Sequence, residues 1–268
     1  MIKKIIIGIL KKLGFVIKVT RLSVTEKYKI NSDKQGLNLY DTPTGKFYLP
    51  SSLRNDIVAN TIKTGHVFDA EIIEVVKKYF KENTSVLDIG ANYGQMSVIL
   101  SKYIAGKGYG KVYSFEAEPF VGELLMQNLE INNCKNVSII PGAVYHTPGE
   151  KVIFPAPDFN RFGAFGSYGI DPLAKFGRTI ETITVDSLQI REPISVIKVD
   201  VQGCDLFALQ GARETILKNK PTIIFEFEEQ FQEEFKTTFN DYIEFVKSIN
   251  YKFVKTFMDI NYLIIPYN

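Results

Sequence analysis

The residues most able to do chemistry in this chain stand where apolar runs end. Ser85-Val86-Leu87-Asp88-Ile89 leads into Gly90-Ala91-Asn92-Tyr93-Gly94, which reads as a buried strand, a glycine turn and the start of a helix. Gly90 and Gly94 let the backbone approach a ligand closely and adopt angles closed to other residues. In an open α/β sheet such a turn lies at the carboxyl end of a strand, where cofactors bind. Glu116 ends the next strand-like run, about 20 residues on, where an acid accepts hydrogen bonds from ribose hydroxyls. Small residues follow a third run at Pro141-Gly142-Ala143-Val144, leaving room for a flat ring or packing a tight turn. Lys198, Asp200 and Gln202 alternate along a fourth run and share one face. A polar row at the end of a central strand is costly unless paired or used. Asp200 therefore either pairs with Lys198 or points at the reacting atoms.

The glycine spacing argues against a dinucleotide. Such sites favour G-x-G-x-x-G, with a pyrophosphate on the helix N-terminus. Here the pattern is G-x-x-x-G with an acid two residues ahead. S-adenosylmethionine carries no phosphate, and Asp88 could face a cation such as its amino group. The expected donor-binding residues are Asp88, Gly90, Ala91, Asn92, Gly94, Glu116, Ala117, Gly142, Ala143 and Asp200.

These residues need a scaffold, and the hydrophobic periodicity supplies one. Helical spacing predicts helices over 70–81, 95–103, 120–132, 206–218 and 239–248. Short apolar runs predict strands over 85–90, 111–116, 137–140, 196–201 and 222–227. This alternation implies a mostly parallel sheet covered on both faces. Tyr251–Met258 and Tyr262–Pro266 are separated by three residues, which permits only an antiparallel hairpin. The expected fold is α/β: a Rossmann-like class I methyltransferase with a doubly wound, mostly parallel seven-stranded sheet ending in that hairpin. Residues 1–68 read as an N-terminal amphipathic helix and short strands, with a hairpin around 37–49. Residues 69–268 read as the methyltransferase domain, interrupted by an insertion at about 145–194. Loops this long inside a domain are usually functional or disordered.

The order of these motifs resembles the FkbM family of methyltransferases. The matching residues are Asp88 to Gly94, Phe115 to Pro119, Asn128 with Asn132, Thr184-Val185-Asp186-Ser187-Leu188, Asp200 to Gly203, Gly211-Ala212 and Glu226. The resemblance spans about residues 69–268. It implies methyl transfer from S-adenosylmethionine to an oxygen, often on a sugar, a polyketide or a glycolipid. An alcohol then needs a proton acceptor, for which Asp200 is the first candidate, Glu226 the second and His146 a third. Two departures matter: Gln202 stands where the family usually has Glu, and Asp205 where it often has Glu. Gln cannot take a proton, so any such burden moves to the other acids. The acceptor is expected to meet Asn92, Tyr93, Arg161, Ser167, Tyr168, Arg178 and Gln202, with the cations of the 158–178 loop suited to a phosphate.

Composition bounds the alternatives. The chain has 268 residues, a formal charge of +2, two cysteines and two histidines. The charge is too small to predict a nucleic-acid partner. The cysteines, 134 and 204, form no CxxC pair, so no disulfide framework or zinc site is expected. No resident metal is expected, although Asp200 and Glu226 could hold a divalent ion in place of a base. A cytoplasmic setting fits. Residues 1–19 carry apolar positions at helical spacing, broken by Lys11 and Lys12 and short of the ~18 apolar residues of a spanning helix. They read as a helix docked on its own domain or on a second copy in a homodimer, or as one resting on the inner membrane face. A small-molecule or glycan acceptor is the expected partner. The competing functions are an NAD-dependent oxidoreductase and a non-catalytic S-adenosylmethionine-binding module. An RNA methyltransferase is weaker still, with no Asn-Pro-Pro-Tyr type motif.

Overall fold

The computed structural model describes residues 36–51, 55–155, 169–174 and 177–267. Asn38–Asn268 forms one compact unit. The readings for residues 1–19 lie outside the described residues.

A hairpin of β1 (Leu37–Thr42) and β2 (Gly45–Pro50) comes first, followed by α1 (Ile57–Lys63) and α2 (Ala70–Tyr79). Alternation then begins with β3 (Ser85–Ile89), α3 (Gln95–Ala105), β4 (Val112–Glu116), α4 (Pro119–Ile131) and β5 (Val137–Pro141). A small sheet interrupts it, built from β6 (Ala143–Val144), β7 (Lys151–Pro155) and β8 (Gly177–Ile183) in the order β6-β8-β7. The main sheet resumes with β9 (Ile194–Val199), α5 (Asp205–Gln210), α6 (Arg213–Asn219) and β10 (Thr222–Glu226). The short α7 (Gln232–Phe235) and α8 (Phe239–Ser248) lead to β11 (Tyr251–Phe257) and β12 (Asn261–Pro266).

The seven-stranded sheet runs β11-β12-β10-β9-β3-β4-β5. Strands β3, β4, β5, β9 and β10 are parallel neighbours, and β12 is antiparallel to both β10 and β11. Every residue of β3, β9 and β10 is buried, as expected of central strands covered on both faces. From β3 the chain winds outward through β4 to β5, then returns to β9 on the other side. Crevices for ligands open at such reversals, beyond the carboxyl ends of the strands. On one side Ile72, Ile73 and Val76 of α2 pack with Met96, Leu100 and Ile104 of α3 over Val86, Val112, Val196 and Ile224. Met258 and Asp259 both have positive φ (49° and 62°), the conformation of a tight hairpin turn, and they fold β12 back along β11.

Two features differ from the sequence expectations. The predicted helix over 206–218 is two helices, α5 and α6, broken at Gly211-Ala212. A Cβ on Gly211 would lie 1.9 Å from the Tyr145 carbonyl oxygen, so the chain must carry glycine where these backbones touch. The Asp186 carboxylate accepts the N–H groups of Glu214 and Thr215 (2.9 and 2.8 Å) and caps α6. The Thr184–Leu188 and Gly211-Ala212 motifs therefore meet. Second, α1 was not foreseen; it is short, and its signal was Asp56, whose side chain accepts from Ala59 N (2.8 Å). Hydrogen bonds also join the segments on either side of residues 68 and 69. Asn128 Oδ1 accepts from Tyr48 N (2.7 Å), while Asn128 Nδ2 donates to the Tyr93 carbonyl (2.9 Å). Asn132 exchanges hydrogen bonds with the Lys46 backbone (3.0 and 2.7 Å). Gln95 reaches back to Phe68 N and the His66 carbonyl (both 2.9 Å).

Asn128→Ala should lower stability by roughly 1–3 kcal/mol, because the buried Tyr93 carbonyl loses its side-chain donor. Urea unfolding measures this, and amide exchange should rise first in residues 45–50.

Candidate active site

The glycine turn after β3 folds over the tip of β4. Gly90 N and Ala91 N both donate to the Phe115 carbonyl (3.1 and 2.9 Å), and Gly94 N donates to the Ala91 carbonyl (2.9 Å). Gly90 has φ +84°, and a Cβ there would lie 1.8 Å from the Asp200 carbonyl oxygen. The turn thus needs glycine because β9 passes immediately behind it. Asn92, at φ +51°, sends its N–H to Glu116 Oε2 (2.8 Å), and Glu118 N donates to Glu116 Oε1 (2.9 Å). A carboxylate offers about four lone-pair sites, so Glu116 keeps acceptor capacity for hydroxyl donors. Burial pushes its carboxyl up to about 7, against the pull of the Glu118 and Asn92 amides.

A crevice of two lobes opens at the strand reversal. The first, about 630 Å³, is lined by Gly90, Asn92, Glu116, Ala117, Gly142, Ala143, Asp200 and Gln202, and by apolar Phe115, Val121, Val144, Phe154 and Ile170. The second, about 560 Å³, shares Gly90, Asn92, Asp200 and Gln202 with the first and adds Asp69, Asp88, Ala91, Tyr93, Gly94, Lys198 and Glu226.

The second lobe is charged. Lys198 Nζ donates to the Gly90 carbonyl (3.0 Å) and lies 3.3 Å from Asp200 Oδ2 and 3.8 Å from Asp88 Oδ1. Burial alone would lower the Lys198 pKa; Asp200, Asp88, Asp69 and Glu226 outweigh it and hold the ammonium charged. Asp88 is fully buried, and Ser97 Oγ donates to its Oδ2 (2.5 Å). Burial raises its pKa while Lys198 and Ser97 oppose the rise. The cation facing Asp88 in this structure is thus the Lys198 ammonium. Gln202 Nε2 donates to Asp200 Oδ1 (3.2 Å). Glu226 Oε1 accepts from Asn261 Nδ2 (3.1 Å), and the Glu226 amide donates to Asp205 Oδ1 (3.2 Å). Burial, and then the charges of Asp200 and Asp205, hold the Glu226 carboxyl far above the usual carboxylate range. Burial likewise lifts Asp205 to about 7, with Asp200 adding to the rise.

All ten residues expected at the donor site line these lobes. Gln202, expected at the acceptor, lines both lobes as well. His146 lines neither lobe; it is exposed and packs against Tyr145 and Phe207, ring centroids 4.5 and 5.1 Å away. The Tyr93 side chain is fully buried, and its hydroxyl donates to Asp56 Oδ2 (2.7 Å). Arg178 pairs with Glu118, the residue that caps α4 through Val121 N (2.8 Å); its guanidinium is engaged there and lines neither lobe. Arg161, Ser167 and Tyr168 lie outside the described residues. Asp69 was missed. Its one sequence signal was a helix-start aspartate, and nothing local places it beside Asp200.

Strand order and site together define a Rossmann-like class I methyltransferase. The Methyltransferase FkbM domain matches residues 88–253, and the chain belongs to the FkbM methyltransferase family, whose methyl donor is S-adenosylmethionine. A comparison with curated proteins finds no match. Among solved structures, the chain is similar to Methyltransferase FkbM from Methylobacillus flagellatus KT at 19% identity and TM-score 0.47, over 69% of this chain and 44% of that one. It is also similar to a TehB-like SAM-dependent methyltransferase from Corynebacterium glutamicum (11% identity, TM-score 0.45, 78% and 93% of the two chains). A third is a SAM dependent methyltransferase from Aquifex aeolicus (15% identity, TM-score 0.41, 78% and 92%).

The residues present fit the donor. Glu116 retains acceptor capacity that suits a ribose hydroxyl. The apolar lining of the first lobe suits a flat base, and the acids of the second suit the donor's ammonium and charged sulfur.

Two outcomes are expected. Gly90→Ala should lose donor binding by calorimetry, since the new Cβ meets backbone. The unliganded protein should lose stability as pH rises from about 4 to about 7. Glu116 and Asp205 keep their protons in the folded state over that range, while the unfolded chain has released them, so the folded state binds more protons and the slope is negative. Melting temperatures across that range should fall, and a rise would contradict the assignment.

Proposed function

We propose that this chain is an S-adenosylmethionine-dependent O-methyltransferase that methylates a hydroxyl of a carbohydrate, such as a nucleotide sugar or a surface polysaccharide precursor. The observation that carries the reading is a pair of carboxyl groups, Asp200 and Glu226, on the tips of adjacent strands and lining the lobe beside the donor crevice. When bound, the donor supplies a methyl group on positively charged sulfur. The acceptor oxygen forms a bond to that carbon as the carbon–sulfur bond breaks, and the hydroxyl proton must go to a base.

Glu226 is the better placed of the two acids to take that proton. Asp200 is engaged by the Lys198 ammonium and the Gln202 amide, whereas the Glu226 carboxyl has the neutral Asn261 amide as its partner. A positive donor in the same lobe favours the ionised form of Glu226 and readies it as an acceptor. Alignment of the two reactants contributes the larger part of the rate, up to ~7–11 kcal/mol of barrier. The charge of the second lobe favours an acceptor whose reacting end carries no anion, and any phosphate would lie away from it. A second reading, a donor-binding module without turnover, rests on Gln202 in place of the family's Glu.

A labelled-methyl assay across nucleotide sugars and neutral glycans tests the proposal. Glu226→Gln should reduce kcat by roughly 10²–10⁴ while calorimetry shows S-adenosylhomocysteine still binding. Full activity in that variant would move the base to Asp200, with Asp200→Asn as the deciding comparison. Donor binding with no turnover on any acceptor would favour the second reading.

A further inference from the structure

Asp69 stands at the start of a helix that it does not cap. It is the residue before α2, with φ 52° and ψ 39°, and its side chain makes no capping hydrogen bond. Aspartate at that position ordinarily accepts an N–H from two or three residues ahead. Left-handed backbone in a residue other than glycine is uncommon and persists where the surroundings impose it. The Asp69 side chain forms no hydrogen bond among the described residues; the residue lines the second lobe together with Asp88, Asp200 and Glu226.

Four carboxyl groups thus share that lobe with one ammonium, Lys198. With a proton on Glu226, three carboxylates still face a single cation. Burial pushes Asp69 up to about 6, Lys198 opposing and Asp200 and Asp88 adding to the rise, so it is ionised above neutral pH. A separate observation points to unused acceptor capacity beside the ammonium. Asp88 Oδ1 is buried with no hydrogen-bond partner among the described residues, and Lys198 Nζ stands off at 3.8 Å. A cleft lined by one sign of charge, with low-dielectric walls, concentrates the opposite sign.

We propose that Asp69 is a specificity-determining residue that makes the second lobe select positive charge, so that the charged sulfur of the methyl donor is held in preference to the neutral sulfur of the demethylated product. The inference rests on the donor reading given above. It provides a way for the product to leave once its charge is gone.

Calorimetry on the full chain at pH 7.5 tests it without an acceptor. The probes are S-adenosylhomocysteine, with neutral sulfur, and sinefungin, with an ammonium in place of the methylated sulfur. The wild type should prefer sinefungin by about tenfold or more. Asp69→Asn, which tolerates the same left-handed backbone, should cut that preference severalfold while S-adenosylhomocysteine affinity changes less. Glu71→Gln, next along the same helix and paired with Lys255 at 3.0 Å, should leave the preference intact. An unchanged preference in Asp69→Asn, equal weakening of both ligands, or no preference in the wild type would overturn the proposal. If neither ligand binds the wild type, the donor reading itself fails.

Discussion

The ammonium of Lys198 sits between the tips of the two central strands, and the site is arranged around it. It bonds to the Gly90 carbonyl on the glycine turn and pairs with Asp200, just past the end of its own strand, and Asp88 on the neighbouring one. Removing a lysine from water costs several kcal/mol unless its hydrogen bonds and charge are met. Here one carbonyl and two carboxylates meet it. The same contacts fix the turn against β9 and orient the acids that border the crevice. Four acids border the lobe beside this one ammonium, an arrangement suited to a donor that carries positive charge on both sulfur and nitrogen.

The other half of the crevice depends on backbone geometry more than on charge. Glu116 is held by amides from the glycine turn and from its own loop. Its carboxylate is thereby held in place by backbone donors, and a ligand that met it would not have to order it. The floor is small because β9 runs directly under Gly90. Asn128 and Asn132 of α4 clamp the β1–β2 hairpin onto this half of the domain, and Gln95 of α3 holds the segment that leads to α2. Asp69 ends that segment. The N-terminal hairpin and the charged lobe are therefore parts of one packed unit.

Much of this was legible in the residues. The class of fold followed from apolar runs alternating with helical spacing, and every strand of the seven-stranded sheet was foreseen within a few residues. Gly90, Asp88, Glu116, Asp200 and Glu226 stand at strand tips, and a strand tip is visible as the last polar or small residue of an apolar run. Membership of the FkbM methyltransferase family accords with the order of those motifs. The close approach of the Tyr145 carbonyl to Gly211 was not legible, since the two residues are distant in sequence. Nor was the engagement of Arg178 by Glu118, which a loop cation and a helix cap give no hint of separately.

The line between the two sources of information follows the range of the interactions. Periodicity, glycine freedom and turn chemistry act over a few residues, so the order of the main-sheet strands and the positions of their tips were set by sequence alone. Partner choice acts across the sheet. That Lys198 pairs with Asp200, that the Tyr93 hydroxyl finds Asp56, and that Asp69 borders the lobe without capping its helix were decided only by tertiary packing. In each case the deciding distance joins residues from different elements, and the burial that sets its strength exists only once the chain has folded.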